Sequence, residues 1–131
     1  MRAGEWDRSV ARSGQSSVKL NPDANNTWNV LNTEPNKEIA VVPGSKYVLT
    51  GWVKNSATAG SAALGIRQID ANGASVTYTW TESAKNSDWT KLTVAFTEQP
   101  LTKRVSVFFK VDQAANGPAW LDDLELREVQ P

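Results

Sequence analysis

Apolar and polar residues alternate with a period of two along most of this chain. A backbone patterned that way buries one face of a strand and wets the other. Lys46–Lys54 sets Tyr47, Leu49, Gly51 and Val53 against Val48, Thr50, Trp52 and Lys54. Arg104–Val111 sets Val105, Val107, Phe109 and Val111 against Ser106, Phe108 and Lys110. Trp89–Thr97 alternates as cleanly, and Ser75–Thr81 is dense in β-branched and aromatic residues. Ser17–Leu20, Glu38–Val42, Ala62–Ile69 and Ala119–Val129 read as further strands. Turn residues punctuate them: Pro43-Gly44, the Asn72-Gly73 pair after Asp70, and Asn116-Gly117-Pro118. About eight strands at this spacing predict an all-β antiparallel sandwich or barrel. No helical stripe and no repeat is visible, and the Asn-rich stretch Asn21–Asn32 reads as a loop carrying Trp28.

Length and charge narrow the function. A chain of 131 residues suits one domain, 1–131. Fourteen Lys and Arg balance fourteen Asp and Glu, which gives no electrostatic footprint for nucleic acid or an anionic membrane. With no Cys and no His, disulfides, thiolate nucleophiles, the usual zinc ligands and the commonest general base are all missing. No stretch approaches the ~18 apolar residues of a membrane span. Met1-Arg2-Ala3-Gly4 leads into no signal-peptide core, so the start suits a module of a longer polypeptide.

Four segments, in order, resemble the jelly-roll carbohydrate-binding modules of families four, nine, sixteen and twenty-two. Ser13–Leu20 is similar to their "SGxxSlkl" strand, and Val42–Lys54 to "vxPGxxYxlsxWvK". Ser87–Thr97 is similar to "tsxWtkltvxft", and Ala119–Leu126 to the terminal "xxyiDDvxl". The resemblance implies a two-sheet antiparallel jelly-roll β-sandwich, a structural calcium ion and a sugar site on a sheet face or loop rim. It also implies a monomeric, secreted module, covalently linked to a catalytic domain that degrades plant cell walls. Those modules usually open with an "NxxFE" strand. Here Met1–Glu5 alone precedes Trp6, so the N-terminal strand is trimmed or built differently.

A polysaccharide presents weakly apolar pyranose faces ringed by hydroxyls, and a protein holds it with exposed aromatic rings beside planar polar groups. The six tryptophans are therefore the residues to sort. With Tyr47, Leu49 and Val53 inward, parity turns Trp52 outward, and in the same way Phe108 and Lys110 leave the core. Arg67 points outward if Leu64 and Ile66 point in, and Gln68 joins it if a bulge intervenes. Trp52, Arg67, Phe108 and Lys110 would then line one groove, if their strands are neighbours. Tyr78 and Trp80 share a face that is either core or groove, and Trp6 and Trp28 are either rim platforms or loop anchors. Trp89 and Trp120 are assigned to packing.

Asp122-Asp123 matches the resemblance's acidic pair. With Asp7 it is the candidate calcium set, since calcium takes six to eight oxygens and a bulge can aim one Asp at it. Read from the residues alone, the pair is a solvated edge that discourages strand pairing before it is a metal site, and the resemblance is what turns it towards calcium. Catalysis is not expected. A glycosidase needs two carboxyls across a cleft, whereas Asp122, Asp123 and Glu125 lie on one strand, and no triad can form without His or Cys. The sequence thus reads as a non-catalytic domain binding a poly- or oligosaccharide, with xylan, β-glucan or cellulose, or mannan as candidates. The rival reading is a structural or adhesive spacer that packs on a neighbouring module.

Overall fold

The computed structural model describes residues 4–7, 12, 14, 17–21, 28–32, 39–41, 44–83, 85–112 and 116–129. These contain ten strands and no helix. In chain order they are β1 (Gly4–Asp7), β2 (Ser17–Leu20), β3 (Trp28–Asn32), β4 (Ile39–Ala40) and β5 (Lys46–Asn55), then β6 (Ala62–Ile69), β7 (Ser75–Glu82), β8 (Ser87–Thr97), β9 (Arg104–Asp112) and β10 (Ala119–Glu128). Every pairing is antiparallel. The first sheet runs β1-β2-β10-β5-β8, and the second runs β3-β9-β6-β7 with β4 also on β9. This is the two-sheet jelly-roll sandwich the sequence predicts.

Alternation builds the core as expected. Tyr47, Leu49 and Val53 of β5 with Leu92, Val94 and Phe96 of β8 form the first sheet's inner face. Leu64 and Ile66 of β6 with Val105, Phe109 and Val111 of β9 meet them from the second sheet. Tyr47 and Phe96 stack with centroids 5.6 Å apart.

The β6–β7 hairpin forms at the Asn-Gly signal. Asp70 Oδ1 accepts the backbone N–H groups of Asn72 and Ala74, each at 2.9 Å, and Gly73 takes φ 86°, which a side chain would strain. One segment departs from expectation. Within the predicted loop Asn21–Asn32, residues Trp28–Asn32 form β3, in register with Phe108–Asp112. A flanking strand that supplies the missing pairing partner overrides weak local patterning.

Candidate functional site

The register of the second sheet gathers most of the predicted ligand residues on its outer face. Phe108, Gly65 and Trp80 lie side by side across β9, β6 and β7. The next row on one side is Ser106, Arg67 and Tyr78, and on the other Lys110, Ala63 and Glu82. Because Leu64 and Ile66 point into the core, all three rows face away from it.

Two of the rings are open. Tyr78 is 51% and Trp80 47% exposed, a large apolar area to leave wet without use. Phe108 is their floor. It is only 5% exposed, its ring lies flat over Gly65, and its edge meets Tyr78 at a centroid distance of 6.2 Å and 68°. Phe108 therefore supports the exposed rings and does not itself present a face to a ligand. Lys110 places Nζ 4.7 Å from the Trp80 ring centroid and 5.3 Å from that of Phe108.

At the other end, Arg67 Nε donates to Ser75 Oγ at 2.7 Å, and Nη2 donates to the Gly73 carbonyl at 3.2 Å. Ser75 Oγ in turn lies 3.1 Å from Tyr78 Oη. The result is a shelf about three strands wide, with two upright aromatics, a ring beneath them and cationic groups at both ends.

Two predicted residues stand elsewhere. Trp52 is turned outward as parity requires, but β5 belongs to the first sheet, so it lies on the opposite side of the sandwich. There the Arg12 guanidinium covers it, with Cζ 3.6 Å from the ring centroid. The expectation that Trp52 shares a groove with Arg67, Phe108 and Lys110 is corrected accordingly. Gln68 is also corrected. The expected bulge follows it, yet it is 1% exposed, and its amide is engaged inside. Gln68 Nε2 donates to the Thr97 carbonyl, and Oε1 accepts from Gln99 N and Thr102 Oγ1. Trp120 packs as expected, but on the first sheet's outer face between Lys19 and Lys54. Trp89 is half-buried at the start of β8. The side chains of Trp6 and Trp28 lie outside the described residues. Their backbones pair with Val18 in the first sheet and with Asp112 in the second.

The acidic pair sits on a bulge. The β10–β5 register shifts between Asp122 and Glu125, and Asp123 takes φ 51°. Both carboxylates are engaged within the chain. Asp122 Oδ1 accepts Asp123 N at 2.8 Å, and Oδ2 accepts Arg12 N at 3.0 Å. Asp123 Oδ2 pairs with Arg12 Nη1 at 2.9 Å. A guanidinium already supplies the positive charge, and among the described residues no group of three acidic side chains assembles here. The side chain of Asp7 is outside the described residues.

Sequence reasoning missed Ser75, Gly65 and Arg12. Only Gly65 carried a signal, since a glycine inside a strand marks the close approach of another group.

A family described as "Carbohydrate binding domain" matches residues 3–116. Among solved structures, a family 16 carbohydrate-binding module is similar with TM-score 0.72 at 18% identity, over 97% of this chain and 86% of that one. The CBM22-1 xylan-binding domain of Paenibacillus barcinonensis Xyn10C is similar with TM-score 0.69 at 18% identity, over 98% and 81%. The enzymatically active domain of bacteriophage CBA120 tailspike protein 4 is similar with TM-score 0.74 at 16% identity, over 96% of this chain but only 18% of that one. No curated protein sequence matches.

Proposed function

The chain belongs to the carbohydrate binding domain family, and from that premise we propose that the outer face of the second sheet holds a polysaccharide without cutting it. One observation carries the reading: Tyr78 and Trp80 stand exposed side by side above Phe108, between Arg67 and Lys110. Indole and phenol rings take up pyranose faces, and the flanking N–H groups take up hydroxyls. The ligand is a β-linked plant cell-wall glycan, with xylan, β-glucan or cellulose, and mannan the candidates. The xylan-binding neighbour supports that class.

The biological role is to tether a covalently attached, secreted glycoside hydrolase, raising its local concentration at the substrate. Binding without catalysis fits the site. The paired acids Asp122 and Asp123 belong to the other sheet and are bonded to Arg12, away from the shelf.

Affinity electrophoresis against xylan, β-glucan and mannan tests the reading. At least one polymer should retard the protein, and Trp80→Ala and Tyr78→Ala should each weaken that retardation about tenfold, as loss of a stacking ring predicts. A folded protein that no glycan retards would sink it.

A further inference from the structure

One end of the shelf is built around an ordered guanidinium, that of Arg67. The sheet's register places three cations, Arg67, Arg104 and Lys110, on one face of a chain whose formal net charge is zero. Glu82 stands two rows from Arg67. The two arginines converge on the β6–β7 hairpin. Arg67 reaches the Gly73 carbonyl, and Arg104 Nη2 lies 3.8 Å from where a Cβ on Gly73 would be.

Arg67 is held in place before any ligand arrives. Its two bonds go to neutral oxygens, Ser75 Oγ and the Gly73 carbonyl, and among the described residues no carboxylate lies within ion-pairing distance of it. Asp70, in the same hairpin, gives Oδ1 to the backbone N–H groups of Asn72 and Ala74. A guanidinium carries five N–H donors in a rigid fork that matches a carboxylate. Here the fork is pre-ordered, half-exposed and beside the open ring of Tyr78.

We infer that this end of the shelf reads carboxylates, so that the preferred ligand is a glycan carrying uronic acid units. A sugar stacks on Tyr78 and its carboxylate, or that of a side-chain substituent, is received by Arg67. The inference rests on the glycan reading of the shelf and names the chemistry of its ligand.

The test compares glucuronoxylan with the same polymer after its carboxyl groups have been reduced to alcohols. In 20 mM salt the native polymer should bind at least fivefold more tightly. The ratio should shrink towards one in 0.5 M sodium chloride, where charge attraction is screened within ~3–5 Å. Arg67→Gln should lower the ratio, and Arg67→Lys should restore it only in part, because an ammonium lacks the fork. A loss of packing alone would weaken both polymers equally. Equal affinity for the two polymers in the wild-type chain, or an unchanged ratio in Arg67→Gln, overturns the inference and leaves the glycan reading intact. Failure of the folded wild type to bind either polymer, or any neutral glycan, overturns both.

Discussion

A methyl group at position 65 would lie 2.3 Å from Cζ of Phe108 and 2.7 and 2.8 Å from two other ring carbons, far inside contact distance. The bare backbone of Gly65 is what lets that ring lie flat between β9 and β7. Gly65→Ala should therefore lift Phe108, disturb the edge contact with Tyr78 and destabilise the fold by about 1–3 kcal/mol, the usual range for overpacking. Near-UV circular dichroism and thermal unfolding read both effects. An unperturbed aromatic spectrum would show that the ring does not depend on the gap. Trp52 answers to a different neighbour. Since Arg12 covers it on the far side of the sandwich, Trp52→Ala should leave glycan retardation within about twofold while lowering stability by roughly 1–2 kcal/mol, through lost packing and cation–π contact. If that variant lost retardation while staying folded, the shelf would be on the wrong sheet.

Among the strands, β10 shows how an element is fastened at its irregular point. At the bulge between Asp122 and Glu125 the ladder is interrupted, and Arg12 spans the break with its backbone N–H on Asp122, its guanidinium on Asp123 and its charge over Trp52. Arg12→Ala keeps the first bond and removes the other two, so it should cost about 1–1.5 kcal/mol. Addition of a chelator should leave the melting temperature unchanged, and a chelator-induced drop of several degrees would show that a metal ion holds the pair in addition to the Arg12 clasp. The same element explains what parity could and could not reveal. Alternation fixed inside from outside for β5, β6 and β9, because burial acts on each strand separately. It said nothing about which sheet each strand joins, since that depends on pairings distant in sequence. Trp52 and Phe108 therefore read as neighbours and stand on opposite faces. Parity leaves Tyr78 and Trp80 open because their strand offers Val76 as its single aliphatic residue, too little to mark an inner face. The segment of β3 reads as a loop because its pairing with β9, not its composition, makes it a strand.

At the scale of the whole molecule, a buried carboxyl outside the shelf couples stability to pH. Glu98 follows the last residue of β8, where its N–H donates to the Ser45 carbonyl and its own carbonyl accepts from Gly44 N. The residue is 2% exposed, and neither Oε1 nor Oε2 has a hydrogen-bond partner among the described residues. Burial raises its pKa from 4.5 to about 7, because the charged form loses hydration and gains nothing in return. The folded state then keeps a proton that the unfolded chain releases between pH 4.5 and 7. Over that interval the native state binds more protons, so stability falls as pH rises and levels off above the folded value. The full effect of such a shift is about 3 kcal/mol. Glu98→Gln keeps the shape and removes the charge, so it should be nearly neutral at pH 4.5 and stabilising at pH 8, with a flatter profile between. Urea unfolding at pH 4.5, 6, 7 and 8 measures both profiles. If wild type and variant kept parallel slopes, the carboxyl would have to be solvated or paired in the native state.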